Sequence, residues 1–222
     1  MPETQFVKND VTVKVGANLQ FQGQTLERFQ VKAAAGVVNK AISCLRSAHR
    51  QLQAGARGNV LKYASRYFMV GPQGPNAEQR NVMLSVLVLT LNWLDSERTV
   101  VVDEHGMNPD ALGWTNVASV PADQLANLQT TSPERRTYYD TGSKSYVSAG
   151  EINVSNGLLD AEQKQAVTTF IHEATHRYAN TQDFGEKGYS NNGVVFNQPG
   201  LTTMEALANA ESYGWFAYKV GR

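Results

Sequence analysis

The sequence has too little cysteine to build a disulfide framework, since Cys44 is the only cysteine among its 222 residues. An intrachain disulfide is therefore excluded, and with it the class of small secreted domains that such bonds stabilise. An excess of charge of one sign is also missing, because 20 Lys and Arg residues balance 20 Asp and Glu residues. Nucleic acids and anionic membranes attract proteins with a basic excess, so we expect no nucleic acid and no membrane as partners.

Long hydrophobic segments are absent as well. The longest apolar run extends from Val82 to Leu94 and is interrupted by Ser85, Thr90 and Asn92, whereas a membrane-spanning helix needs about 20 apolar residues. We interpret this run as a buried helix. No basic stretch followed by an apolar core stands at the start of the sequence, so no signal peptide is visible. These absences favour a protein secreted or delivered outside the producing cell by a route without a visible signal peptide.

The spacing of apolar residues predicts one α+β domain over residues 1–222 that is mainly helical. We divide it into an N-terminal β-hairpin over 1–24, a helical half over 25–98, a region of strands and loops over 99–159, and a helical end over 160–222. In the first two parts, alternation over 5–23 predicts the hairpin, and apolar residues at steps of three and four predict a helix over 25–52. A second helix is predicted over 77–95, after a Gly/Pro-rich break.

The third part contains short segments typical of strands. A strand is predicted over 99–102 and another over 152–154, and a hairpin pairs Tyr138 and Tyr139 with Tyr146 and Val147. Residues 103–137 are rich in Asn, Pro, Asp and Ser, which predicts long loops.

Two capping-box patterns predict the helices of the last part. Asp160 followed by Gln163 predicts the start of a helix that continues to about Ala179. Thr202 followed by Glu205 predicts the start of a final helix that continues to about residue 220.

The first of these helices contains the pattern His-Glu-x-x-His, formed by His172, Glu173 and His176. Two histidines four residues apart lie on one face of a helix, so both imidazoles can bind one Zn²⁺. Such a metal lowers the pKa of a bound water from 15.7 to about 7, and the glutamate can accept the proton that the water releases. The pattern therefore predicts a catalytic site with one zinc ion.

A catalytic zinc site needs a third protein ligand and one open position. The extended form of the pattern, with a glycine three residues and a histidine six residues after His176, is excluded because Ala179 and Gln182 stand there. Spacing leaves four candidates, which are Asp183, Glu205, Glu211 and, more remotely, His105. Glu205 also has a structural explanation as the second half of a capping box.

Two further segments resemble the aspzincin family, the deuterolysin-like zinc endopeptidases that include lysine-specific members. Thr181-Gln182-Asp183 is similar to the middle of the family's Gly-Thr-x-Asp-x-x-Tyr-Gly segment, and Asn209–Ala217 is similar to its Asn-Ala-Asp-Ser-Tyr-x-x-Phe-Ala stretch. The resemblance implies a zincin-like metallopeptidase fold. It also implies that His172, His176 and Asp183 are the zinc ligands and Glu173 the general base.

The same resemblance implies roles for two more residues. Tyr189 would correspond to the family tyrosine that hydrogen-bonds the oxyanion, although it lies six residues after Asp183 instead of three. Tyr178 and Tyr213 are the alternatives for this donor. Glu211 would correspond to an acid that binds the ammonium group of a lysine substrate, but the second acid of that subsite is replaced by Gly214. Asn180 likewise replaces the glycine of the ligand segment.

These observations predict a zinc-dependent endopeptidase that acts on a protein or peptide substrate. One alternative keeps the site and changes the target, as a zinc amidase or peptidase toxin that cleaves cell-wall peptides or one specific protein. Such a toxin would have a cognate inhibitor or immunity protein as a further partner. A second alternative is a zinc-stabilised binding module without catalysis, although structural zinc sites normally have four protein ligands.

Overall fold

The computed structural model describes residues 5–104, 110–115, 137–140, 145–148, 151–160, 162–190 and 200–222; only the backbone is described for 137–140, 145–148 and Asp160. Within these ranges a mixed sheet of five strands packs against a group of helices. No helix in these ranges combines the length and the apolar character needed to cross a bilayer.

The sheet begins with the predicted N-terminal hairpin. β1 (Gln5–Lys8) pairs antiparallel with β2 (Val11–Val15), and the two residues between them, Asn9 and Asp10, have φ values of 50° and 61°. Two positive φ values are typical of the type I′ turn, which fits the twist of a hairpin and favours Asn and Asp. The inward-facing Val11, Val13 and Val15 are buried, so the alternation in the sequence reflects one face on the core.

The hairpin ends earlier than the alternation predicts. Residues Ala17–Phe21 form a short helix, α1, instead of continuing the strand. The carboxylate of Asp103 accepts hydrogen bonds from the backbone N–H groups of Asn18 (3.5 Å) and Leu19 (3.1 Å) and so caps this helix. The prediction over 16–23 was wrong because the capping residue lies more than 80 positions away.

Three further strands, β3 (Thr99–Asp103), β4 (Gly113–Thr115) and β7 (Ile152–Ser155), extend the sheet, and the strand order is β1-β2-β3-β7-β4. β3 is parallel to β2 and to β7, which confirms both predicted strands. β5 (Thr137–Asp140) and β6 (Ser145–Ser148) form the predicted second hairpin, with Tyr139 opposite Tyr146. β4 pairs antiparallel with β7 at the sheet edge, in a stretch predicted as loop. Three residues are too few to show a strand period.

The helices confirm the predicted arrangement with shifted boundaries. α2 (Arg28–Ala54) and α4 (Ala77–Glu97) correspond to the two helices of the first half, and α3 (Asn59–Tyr67) lies between them without having been predicted. Asn76 caps α4 by accepting a hydrogen bond from the backbone N–H of Gln79, and Gln79 bonds back to the N–H of Asn76. Such a box fixes the first residue of a helix.

Two predictions about the helical end were wrong. Asp160 is not at the N-cap position of the helix with the histidine pattern, because it ends a separate short helix, α5 (Asn156–Asp160), and Glu162 occupies the N-cap of the next helix, α6 (Gln163–Ala179). The final helix is divided into α7 (Thr203–Ala208) and α8 (Ala210–Gly221). Thr202 does cap α7 as predicted, but Asn209 is extended (φ −86°, ψ 122°) and interrupts the helix. Together α2, α4, α6 and α8 enclose the core, with α6 also against β4 and β7.

Candidate metal centre

The histidine pattern lies in the buried second half of α6. His172, Glu173 and His176 are only 5%, 7% and 9% exposed. Apolar neighbours on the same helix, among them Phe170 and Ile171, are completely buried and fix the helix in the core. Polar side chains in such a place need partners, because burying an unpaired polar group costs free energy.

The chain reverses direction directly after α6 and brings Asp183 back to the histidines. Asn180 ends the helix in the left-handed conformation (φ 55°, ψ 38°), and its N–H bonds the carbonyl of His176 at 3.1 Å. Glycine adopts this conformation most easily, and asparagine is the commonest substitute. The replacement of the expected glycine by Asn180 therefore preserves the turn.

The ligand loop that follows, defined as residues 181–190, is attached to the break between α7 and α8. The N–H of Gln182 donates to the carbonyl of Ala208 (2.8 Å), and the N–H of Ala210 donates to the carbonyl of Gln182 (3.1 Å), which forms a parallel bridge at Asn209. The side chain of Asn209 also donates to the carbonyl of Gly188 at 2.8 Å. The loop is held from both ends.

Three side chains meet in a small triangle. The Nε2 atoms of His172 and His176 are 3.0 Å apart, Oδ1 of Asp183 lies 3.2 Å from Nε2 of His172, and Oδ2 lies 3.3 Å from Nε2 of His176. Donor atoms placed about 2.0 to 2.1 Å from a tetrahedral zinc ion are separated by roughly 3.3 Å. Within the described residues, His172, His176 and Asp183 form the group whose donor atoms suit a metal ion.

The other nitrogen of each imidazole faces an acceptor. Nδ1 of His176 lies 2.8 Å from the carbonyl oxygen of Thr181, and Nδ1 of His172 lies 3.2 Å from Oε2 of Glu211. Both acceptors require a proton on Nδ1. When the ring gives up its other proton, as it must on binding a metal, the lone pair is therefore on Nε2, the nitrogen that faces the triangle.

The electrostatics of the triangle favour positive charge. Burial alone would lower the pKa of His172, but hydrogen bonds to Asp183 and Glu211 and the charge of Glu173 raise this pKa to about 10. Burial would raise the pKa of Asp183, but its bonds to the two histidines hold that pKa far below the ordinary value. A divalent cation satisfies the same surplus of negative groups.

Glu173 stands beside the triangle without being part of it. Its Oε1 is 3.9 Å from Nε2 of His172, and burial raises the pKa of its carboxyl group, against the opposing influence of the two histidines. The edge strand β4 covers this residue: Oγ1 of Thr115 donates to the carbonyl of Glu173 at 3.3 Å. A methyl group at Gly113 would come within 3.2 Å of Cγ of Glu173, so glycine permits this close approach.

Tyr189 also borders the site. Its ring is stacked on the ring of His172, with centroids 5.8 Å apart and planes inclined by 17°. Burial, the charge of Asp183 and a hydrogen bond to Asp183 raise its pKa well above the ordinary value. The 3₁₀ turn Gly185–Gly188 occupies the extra positions between Asp183 and Tyr189.

The two alternative donors have other acceptors. The hydroxyl of Tyr178 donates to Glu97, and that of Tyr213 donates to the carbonyl of Leu207, both at 2.8 Å.

Two other candidates for the third ligand, Glu205 and Glu211, have different partners. Glu205 closes the capping box of α7 and pairs with Lys187. Glu211 contacts the opposite nitrogen of His172, and its predicted contact with a substrate stays a prediction. His105 lies outside the described residues.

Sequence reasoning missed the side chains around Glu211. Nε1 of Trp215 donates to its Oε1 at 2.6 Å, and Oγ of Ser190 donates to the same oxygen at 3.2 Å. Glu211 and Trp215 are four residues apart, which places both on one helix face. From this spacing their contact could have been predicted. No local signal connects Ser190 with α8, because the pairing depends on the ligand loop.

Comparison with known proteins finds a similarity in fold but no match in sequence. No protein-family model and no curated protein sequence matches the chain. Among solved structures, the chain is similar to a zinc peptidase from Grifola frondosa, with a TM-score of 0.57 and 12% sequence identity over 87% of this chain and 96% of that chain. The predicted zincin-like α+β fold class is confirmed, and the chain therefore shares the fold of a zinc peptidase.

Proposed function

We propose that the protein is a zinc-dependent endopeptidase. The observation that carries this proposal is the triangle of His172, His176 and Asp183, in which donor separations, tautomers and charge all suit a tetrahedral zinc ion. Three protein ligands leave one position open, as in catalytic sites. The fold shared with a zinc peptidase supports the same reading.

The zinc ion would supply Lewis acidity, which makes water a better nucleophile at neutral pH and polarises the peptide carbonyl. Glu173, buried beside the triangle, would accept the proton of the attacking water and transfer it to the nitrogen of the leaving amine. The base keeps its position because β4 and the body of α6 enclose it.

Tyr189 would stabilise the negative charge that develops on the carbonyl oxygen. A phenol is protonated at neutral pH, so its hydroxyl, which bonds Asp183 in this structure, could donate a hydrogen bond to that oxygen instead. Tyr189 is 42% exposed and is therefore accessible from solvent. The position of the protein outside the producing cell stays the prediction drawn from its sequence.

Zinc content and casein cleavage, measured together for matched variants, test this proposal. We expect one zinc per wild-type chain and cleavage of casein. Glu173→Gln should retain the metal and lose about 10²- to 10⁴-fold in rate, the contribution of a general base. Asp183→Asn should lose zinc at micromolar protein concentration.

Glu205→Gln is the matched control, because it changes an acid in the same part of the chain that lies outside the triangle. It should keep both zinc and activity. A wild-type protein without zinc would overturn the proposal, and an Asp183→Asn variant that keeps metal and activity would exclude this ligand. Zinc binding with cleavage of murein peptides but of no protein would favour the amidase, and zinc binding with no hydrolysis would favour the binding module.

A further inference from the structure

The carboxylate of Glu211 has three protein donors and no unused oxygen. Oε2 faces Nδ1 of His172 at 3.2 Å. Oε1 accepts from Nε1 of Trp215 at 2.6 Å and from Oγ of Ser190 at 3.2 Å. The side chain is only 14% exposed, so these donors, rather than water, compensate for its desolvation.

This arrangement is unsuited to binding a cationic substrate side chain. A substrate ammonium group would have to compete with donors that are already within 3.2 Å of both oxygens. A second acid one helical turn further cannot assist. A Cβ at Gly214 would stand 2.7 Å from the carbonyl oxygen of Thr168, so the contact between α8 and α6 permits no side chain there.

The same geometry is well suited to orienting a metal ligand. An imidazole that binds zinc through one nitrogen usually donates the N–H of the other to a carboxylate or carbonyl, which fixes the tautomer and the ring plane. Trp215 and Ser190 in turn donate to the Glu211 carboxylate, and the ring of Tyr189 is stacked on that of His172. Hydrogen bonds thus connect Trp215 to Glu211 and Glu211 to His172 without a gap.

We propose that Glu211 is a positioning residue that holds His172 with its proton on Nδ1, and that Glu211 consequently does not serve as an acidic subsite selecting lysine or arginine. This inference rests on the proposed role of His172 as a zinc ligand. It assigns Glu211 to the metal centre instead of to the substrate.

The decisive measurement is the affinity of the protein for zinc. It is determined by titrating the zinc-loaded protein with a competing chromophoric chelator. Glu211→Gln should weaken zinc binding about 10- to 100-fold, the usual effect of removing such an outer partner. Trp215→Phe removes one donor and keeps Glu211, so it should weaken binding less. If Glu211→Gln folds poorly, the zinc affinity of Trp215→Phe still tests whether the environment of Glu211 affects metal binding.

Glu97→Gln is the matched control, because Glu97 also bonds α6, through Arg177 (2.7 Å) and Tyr178 (2.8 Å), but contacts neither histidine. It should lower the unfolding temperature and leave zinc affinity unchanged. A direct readout of positioning is the Nδ1–H proton of His172 in NMR spectra of the zinc-loaded protein. This signal should be protected from exchange in the wild type and broadened in Glu211→Gln.

Substrate selection gives the opposing test. Peptides that differ only in a lysine or a glutamine beside the scissile bond should be cleaved by the wild type within about fivefold of each other, which is all that an exposed charge pair contributes. Glu211→Gln should reduce both rates equally. Selective loss of the lysine peptide with unchanged zinc affinity would overturn the inference.

Failure of this inference is distinguishable from failure of the proposed function. Equal zinc affinity in wild type and Glu211→Gln overturns the positioning role alone. A wild-type protein that binds no zinc overturns both, since there would be no ligand for Glu211 to position.

Discussion

Glu205 and Glu211 are close in sequence but have opposite environments. Glu205 lies at the exposed start of α7, where its carboxylate accepts from the N–H of Thr202 at 2.8 Å and pairs with Lys187. Glu211 faces inward from the first turn of α8. The first residue fixes where a helix begins, and the second contacts His172 of the candidate metal centre.

The cap at Glu205 should make stability depend on pH. Its bond to Lys187 and its bonds to Thr202 lower the pKa of Glu205 from 4.5 to about 2. A group whose pKa is lower in the folded state stabilises the protein above its ordinary pKa and loses that contribution as the pH falls towards the folded value. The difference in unfolding temperature between wild type and Glu205→Gln should therefore be largest above pH 5 and shrink from pH 5 to pH 3.

This comparison is made on metal-free protein, so that loss of zinc in acid does not contribute. Glu186→Gln, an exposed residue in the neighbouring 3₁₀ turn, removes the same charge without a cap and should show no such trend. A constant difference across the range would mean that the carboxylate of Glu205 is not ionised preferentially in the folded state.

At the scale of residues, the proposed metal ligands could be predicted from the sequence, but the side chains that hold them in place could not. The pairing of His172 with His176 could be predicted because helical periodicity alone brings the two rings together. Asp183 required a family resemblance, since its approach depends on the left-handed Asn180. The partners of Glu211 could not be derived, because Ser190 reaches α8 only after the ligand loop has folded.

At the scale of elements, the break between α7 and α8 determines the position of the ligand loop. The extended conformation of Asn209 exposes backbone groups that bond Gln182, the neighbour of Asp183. The Asn209 side chain, itself completely buried, holds the loop a second time at Gly188. An uninterrupted helix would offer no such bridge, because its N–H and C=O groups bond one another.

Asn209→Ala should therefore loosen the loop. The substitution leaves the buried carbonyl of Gly188 without its donor, which costs about 1 to 3 kcal/mol in the free energy of unfolding. Zinc affinity should fall as well, because Asp183 is no longer fixed. Denaturant unfolding and chelator competition measure the two effects.

Asn39→Ala provides the control, since that side chain donates one exposed hydrogen bond to the carbonyl of Asn9 at 3.2 Å, away from the loop. It should change neither quantity appreciably. If Asn209→Ala is destabilised but binds zinc as tightly as the wild type, the bridge is not what positions Asp183.

The elements that sequence reasoning recovered are those with a clear period or a local cap, such as α2, α4 and the first hairpin. The errors arose where distant contacts decide. Asp103 turns the expected end of that hairpin into α1, pairing with β7 makes a strand of β4, and the bridge to Gln182 divides the final helix.

At the scale of the whole molecule, a bound metal would join parts of the chain that no covalent crosslink connects. The single cysteine, Cys44, is buried and unpaired, and the three proposed ligands lie on α6 and on the ligand loop. Anything that binds only the folded state stabilises it according to its concentration and affinity.

Zinc should consequently raise the unfolding temperature. At free zinc 1,000 times the dissociation constant, the stabilisation is about 4 kcal/mol, which corresponds to roughly 8 to 16 °C for a protein of this size. A chelator should reverse the shift, magnesium should not reproduce it, and Asp183→Asn should show little of it. Identical unfolding temperatures with and without zinc would contradict the proposed centre.

The position of α8 in the chain has a consequence for biosynthesis. Proteins are made from the amino terminus, so His172 and His176 emerge from the ribosome before Glu211 and Trp215. The carboxylate proposed to orient His172 is thus made after both histidines and the ligand loop. A nascent chain that stops short of α8 lacks this carboxylate, so the proposed orientation of His172 can be completed only after α8 has been made and has packed against α6.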